Sequence, residues 1–391
     1  MSSLIKQVPR GVWILALAHC VADLAPGALY VALPFLKAKF ALSYAQVSAI
    51  VLMQNVAASV SQPLFGYISD QRHRPWLMTA GCLLTGVFMV ASLFAPHYYL
   101  VLLCTALCGL GNAAFHPEAA KTVNQISGTA KGKSISVFSV GGYVGLAAGS
   151  LLLGTLLVGG ESLRLVWYAL PSIIISGILL VMTKYLPHTE IKAKTTLGSL
   201  KAYVNWPLMA LLGMILTRAT VSSSIGTFVP LYYISHLGGN ELYVSSLLTT
   251  YLSAGIVGTL VGGMLSDRYG SKQVMLYSIL PIALLLYVFL SASGAGVFVI
   301  LAVASVLLSA TATSSLVFTQ KMMPRNIGMA SGLTLGFSVG VGTMGVWVLG
   351  KVADVWDITA VFDVLVVLPV LGFLLTLFIR EPESRKMECN G

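Results

Sequence analysis

A chain of 391 residues with 57% hydrophobic and only 9% charged side chains cannot cover a water-exposed surface, because soluble domains carry roughly 25% charged residues. That composition excludes an ordinary soluble enzyme or binding domain. The formal net charge of +10 does not point to nucleic acid either, since the cations are scattered between apolar runs and form no single patch.

Twelve apolar runs follow one another, near 11–35, 45–68, 76–95, 99–120, 133–158, 164–186, 207–234, 242–265, 273–293, 296–319, 328–350 and 359–379. Each is about 20 residues long, enough to span a bilayer as a helix. They are continuous and do not alternate, and in lipid every backbone polar group needs an internal partner, so helices are expected. The first run is too long and too polar for a cleaved signal peptide and holds Asp23 and Pro26, with His19 one turn before Asp23 on the same helix face. The second offers Gln54, Asn55, Ser59 and Gln62, and ends in Gly66-Tyr67-Ile68-Ser69-Asp70, followed by Arg72 and Arg74. The fourth ends in Phe115-His116-Pro117-Glu118, where Pro117 is expected to kink the helix and place His116 and Glu118 near its inner mouth. The fifth carries Tyr143 within a small-xxx-small ladder of Gly141, Gly145 and Gly149, a packing face.

The longest polar stretch between spans, roughly 184–206, divides the chain. The expected organisation is a bundle over 1–186, a linker over 187–206 and a second bundle with a short tail over 207–391. The seventh run has Arg218 at its middle, with Ser222, Ser223, Ser224 and Thr227 following. The eighth ends in Gly263-Met264-Leu265-Ser266-Asp267, then Arg268 and Lys272, a near copy of the loop that starts at Gly66 and lies 197 positions earlier. The eleventh repeats the glycine ladder as Gly332, Gly336 and Gly340. The fold class is therefore all-α and integral to the membrane: twelve transmembrane helices in two pseudo-symmetric bundles of six. Trp13, Tyr98, Tyr99 and Trp356 are expected at the membrane interfaces.

Of the 23 cations, 18 fall in segments on the side of the N-terminus, four (Lys37, Lys39, Arg164 and Lys351) on the other side, and Arg218 within a span. The positive-inside rule then puts both termini in the cytoplasm. Cys20, Cys82, Cys104, Cys108 and Cys389 show no metal-ligand spacing and read as small core fillers. No metal and no other cofactor is expected.

Two bundles with a seam can rock about a central site, so transport is the expected function. Charges inside a span cost about 2.5 to 3.5 kcal/mol on insertion scales, so Asp23 and Arg218, opposite in sign on pseudo-equivalent helices, are expected to flank one cavity. Arg218 suits an anionic group of the substrate, with Asp23, Gln54, Asn55, Ser222 and Tyr143 as further lining. Asp23, His19, Glu118 and His116 are the candidates for proton handling. Gly66, Asp70, Arg74, Gly263, Asp267 and Arg268 are expected to form a conformational latch on the cytoplasmic side, the glycines allowing close helix approach. No phosphate-binding Gly-x-x-x-x-Gly-Lys loop is present, which leaves an ion gradient as the driving force. A membrane enzyme or a channel is the remote alternative, since neither a nucleophile–base set nor a filter-forming loop is seen.

The paired Gly-x-x-x-Asp loops resemble the signature of the major facilitator superfamily, and the likeness runs along the whole chain. A closer resemblance, to the fosmidomycin-resistance branch, rests on several stretches. They are His19 to Asp23, Leu42-Ser43-Tyr44-Ala45-Gln46, Gln62 to Gly66, Gly111 to Ala119, Gly132-Lys133-Ser134 with Gly141-Gly142, and Gly328 to Gly332. It implies an exporter of a small drug or metabolite in a bacterial inner membrane, driven by proton antiport; a monomer with no enzymatic activity and no nucleic-acid partner is expected besides. A proton-coupled importer of a small organic anion is the alternative.

Overall fold

The structure, a computed structural model, describes residues 8–71, 74–128, 131–158, 163–183, 206–323 and 327–379. Twelve α-helices appear in the expected order: α1 Arg10–Phe40, α2 Tyr44–Gln71, α3 Trp76–Leu93, α4 Tyr98–Ile126, α5 Lys131–Leu157, α6 Leu170–Met182, α7 Trp206–Leu231, α8 Glu241–Tyr269, α9 Ser271–Phe289, α10 Ala295–Met322, α11 Ile327–Trp356 and α12 Ile358–Leu377. A 3₁₀ stretch, Leu163–Ala169, leads into α6, and a π-helical turn, Tyr232–His236, prolongs α7 beyond Pro230. Among the described residues eleven of the helical spans are long and apolar enough to cross a membrane. The linker expected over 187–206 lies outside the described residues apart from Trp206.

Local chemistry starts and stops these helices. Ala41 closes α1 in the left-handed region at φ 50°, and Ser43 and Gln46 then open α2 with a reciprocal capping box. Asn240 caps α8 by accepting from the Tyr243 amide at 2.7 Å. Gly270, at φ 91°, turns α8 into α9 at a backbone angle that disfavours a side chain.

Helix α4 departs from expectation. Phe115-His116-Pro117-Glu118 does not end it; the helix continues to Ile126. A proline inside a membrane helix is tolerated because neighbours satisfy the freed backbone group. His116 is thereby carried into the interior beside α1, and Glu118 is completely buried.

Glycine sets the closest helix pair. Gly141, Gly145 and Gly149 of α5 lie directly against the backbones of Ala16, Cys20 and Leu24 of α1, and Gly27 answers from α1 against the Leu146 carbonyl. The pseudo-equivalent pair in the second half, α7 with α11, is brought together by Gly342 against Ala219 and Gly345 against Thr220. Gly340 instead looks across to Ser59 of α2 at 3.9 Å, and the side-chain surroundings of Gly332 and Gly336 lie outside the described residues. Gly66 and Gly263 are not points of forced approach either: a Cβ there would meet Pro117 at 3.9 Å and Thr313 at 3.8 Å, ordinary contacts. The close α8–α10 approach is made at Gly258 and Gly262, against Val306 and Ala310.

The bundles meet along α2 with α11 and α5 with α8. That seam is closed by specific contacts at the end that holds the start of α2. There the Asp354 carboxylate of α11 accepts from the backbone amides of Tyr44 at 2.6 Å and Ala45 at 3.0 Å. Gly350 packs on Tyr44, Ala45 and Ser48, Gly154 packs on Ser245, and Thr249 donates to the Ala147 carbonyl at 3.2 Å.

Candidate functional site

Two polar groups occupy the interior. The first lines a cavity of about 280 Å³ between the bundles, walled by Tyr30, Gln54, Asn55, Arg218, Ser222, Ser223 and Ser338 together with Pro26, Leu29, Leu146, Ala219, Leu252 and Val339. Arg218 reaches it from mid-α7 and donates through Nη2 to the Ser338 hydroxyl of α11. Its Nε is buried without a hydrogen-bond partner, and among the described residues no carboxylate pairs with the guanidinium. Opposite it, Gln54 is buried with an unpartnered Oε1, and Asn55 hydrogen-bonds Tyr30. The Tyr30 ring rests closely on Gly226 of α7, where an added methyl would press on it at 3.0 Å, so this contact joins the two bundles beside the cavity. Ser222 shares a 3.0 Å hydrogen bond with the buried Tyr251 hydroxyl. The result is a small apolar-walled chamber with one cation and several orienting amides and hydroxyls, the usual make-up of a small-molecule site.

The second group sits between α1 and α4. His19 and Asp23 form one i,i+4 pair on α1, and Asn112 and His116 form another on α4. His19 Nε2 is 3.2 Å from one Asp23 oxygen, and His116 Nε2 is 3.5 Å from the other. Asn112 donates to Asp23 Oδ1 at 3.1 Å. His19 Nδ1 donates to the Phe138 carbonyl of α5 at 2.7 Å, and the two rings stack at 4.1 Å. Gly142 lies against His19 and Asp23, with no room there for a side chain. Asp23 is 8% exposed and His19 9%, so this carboxylate has left water and depends on these partners.

Arg218, Gln54, Asn55 and Ser222 thus share one chamber, whereas Asp23 does not line it and is not paired with Arg218. His19 and His116 join Asp23, but Glu118 stands apart, accepting from the Ser69 hydroxyl of α2 and tying α4 to it. Tyr143 bonds Thr259 of α8 at 3.3 Å, across the seam. Of the latch residues, the Asp70 side chain lies outside the described residues. Asp267 and Arg268 are exposed, and among the described residues Arg74, Asp267 and Arg268 enter no ion pair. Asn112, Phe138 and Ser338 are absent from the residues singled out as site candidates by sequence. Asn112 carried a legible signal, since it precedes His116 by the same interval that separates His19 from Asp23.

The profile described as Major Facilitator Superfamily matches residues 15–238 and 210–388. The chain is 30% identical over 380 residues to the fosmidomycin resistance protein of Escherichia coli K12, covering 95% of this chain and 92% of that protein. It is 29% identical over 389 residues to the uncharacterized MFS-type transporter YfnC of Bacillus subtilis 168, covering 95% and 93%. Among solved structures it is similar, at a TM-score of 0.74 and 15% identity over 94% of this chain and 93% of the other, to a bacterial homolog of the human lysosomal transporter Spinster in an inward-facing, occupied conformation.

Proposed function

The chain belongs to the Major Facilitator Superfamily, as a multi-pass transporter with efflux relatives, and from that premise we propose that it exports a small organic anion in exchange for protons by alternating access. The observation that carries this reading is the unneutralised Arg218 in the chamber, with a buried, unpartnered Nε. A half-buried guanidinium with a buried, unpartnered Nε is costly without a counter-charge, and an anionic solute supplies that charge on arrival. The planar guanidinium suits a phosphonate or carboxylate bidentately, and Tyr30, Gln54, Asn55 and Ser222 offer neutral contacts around it.

The cluster around Asp23 is the coupling element. It lies within the N-terminal bundle next to the chamber and carries a buried carboxylate flanked by two imidazoles, so it can take and release a proton without the substrate touching it. Export is favoured over import by the relative that confers fosmidomycin resistance. With both termini in the cytoplasm of a bacterial inner membrane, the seam closed by Asp354 faces outward and the chamber is reached from inside. A monomer is the working unit of this reading, since helices of one chain suffice to wall a chamber.

Expression in a susceptible, efflux-deficient bacterium tests direction. Protection against a phosphonate such as fosmidomycin is expected, together with uptake of the labelled compound into inside-out vesicles on acidifying their lumen. Sensitisation of the cells would reverse the direction, and no pH-driven flux of any phosphonate or carboxylate would remove the reading.

A further inference from the structure

We propose that His19, Asp23 and His116 form a seat for one divalent transition-metal cation of the zinc class, oriented by Phe138 and Asn112. The inference goes beyond the export reading and does not need it.

The lone pairs give the first argument. The Phe138 carbonyl can only accept, so the His19 Nδ1 that approaches it at 2.7 Å carries the hydrogen. In the neutral ring this leaves Nε2 as a bare lone pair, aimed at Asp23 Oδ2 from 3.2 Å. A lone pair facing a carboxylate oxygen is repulsive unless a positive charge lies between them. His116 Nε2, 3.5 Å from Oδ1, adds a third donor to the same spot. Asn112 holds the carboxylate by a neutral hydrogen bond and does not discharge it.

Geometry gives the second. Metal–nitrogen and metal–oxygen bonds of about 2.1 Å around a tetrahedral zinc-class ion put neighbouring ligand atoms about 3.4 Å apart. The separations of 3.2 Å from His19 Nε2 to Asp23 Oδ2 and 3.5 Å from His116 Nε2 to Oδ1 bracket that value, so the carboxylate can meet the ion through either oxygen, and one ligand atom from each residue lies within 4.8 Å of the others. Two imidazoles with one carboxylate are a familiar three-ligand set that leaves a fourth position open.

The surroundings give the third. Both pairs stand one turn apart on rigid helices, the His19 ring is stacked on Phe138, and only a glycine at position 142 lets α5 pack this closely on His19 and Asp23. A histidine whose far nitrogen donates to a backbone carbonyl is the usual outer-shell arrangement at metal centres. A proton and a metal ion would occupy the same lone pairs, so the two compete, and metal binding must release protons.

The test uses the full chain, purified without a polyhistidine tag and stripped with chelator, and titrated with Co²⁺ as a visible probe and Zn²⁺ as its competitor. One equivalent of Co²⁺ should give the intense visible absorption of a tetrahedral site, and one equivalent of Zn²⁺ should remove it. His116→Gln should abolish the band while the metal-free protein still unfolds in one cooperative transition. Asn112→Ala should keep the band and weaken affinity about tenfold, the lower end of the effect of losing an outer-shell partner. Absence of a band at one equivalent, a band that survives in His116→Gln, or a thiolate charge-transfer band that places the metal on cysteine overturns the proposal. Proton-driven flux in chelator-treated vesicles is measured alongside. Flux without metal binding sinks the seat and spares the export reading; metal binding without flux does the opposite.

Discussion

Asp354→Ala isolates the clamp between the bundles. In the structure its carboxylate accepts two backbone amides at the start of α2, at 2.6 and 3.0 Å, from a residue near the end of α11. The capping box of Ser43 and Gln46 remains in the variant, so α2 keeps its own N-terminus and the loss falls on the seam between bundles. A side chain that caps a helix start contributes about 1 kcal/mol, within a range of about 0.5–2, and a charge there adds about 0.3–1 kcal/mol from the helix dipole. Two amide contacts at an exposed site therefore sum to about 2 kcal/mol after solvent competition, which is about a 30-fold change in the equilibrium between closed and open seam. The assay is labelling of a single cysteine at the chamber position Ser222→Cys, in a background without the native cysteines, by an impermeant maleimide applied outside intact cells. The expected result is a rate about 30-fold higher with Asp354→Ala than without it, and an intermediate rate with Asp354→Asn. A folded Asp354→Ala protein labelled at the parent rate would refute the reasoning, because the seam would then be held elsewhere.

Arg218→Gln removes the one cation among the described residues of the chamber lining and is expected to weaken binding of an anionic solute by about 2–5 kcal/mol, the cost of leaving its charge unpaired in the chamber, read as a Kd at least 30-fold higher by calorimetry; an unchanged Kd overturns the assignment. Asp23→Asn keeps the Asn112 contact geometry but removes the charge shared by His19 and His116, so proton-driven flux should vanish while solute exchange at equal pH on both sides persists; retained driven flux excludes Asp23 from coupling. Gly262→Ala should cost about 1–3 kcal/mol and lower Tm in detergent, because the new methyl meets Ala310 of α10, whereas Gly66→Ala, with only an ordinary contact to Pro117, should leave Tm essentially unchanged; equal effects at the two positions contradict the packing described.

Hydropathy is additive along the chain, and so membrane insertion, twelve spans and two halves were legible without coordinates: each run of about 20 apolar residues carries its own demand for lipid. The paired loops at Gly66 and Gly263 marked the duplication for the same reason, and Arg218 stood out as a charge inside a span. The partners of those charges were not legible, because they depend on how helices are rotated and slid against one another. Asp23 meets Asn112 across 89 positions, and Asp354 meets Tyr44 across 310. Those registers are decided by small-residue contacts such as Gly145 on Cys20 and Gly27 on Leu146, which differ by one residue between sliding alternatives and leave hydropathy unchanged. Only the packed structure could therefore separate the acid of α1 from the guanidinium of α7 and give each its own set of neighbours. It also fixed the direction of the His19 lone pair, through a carbonyl on a third helix whose position no local pattern encodes.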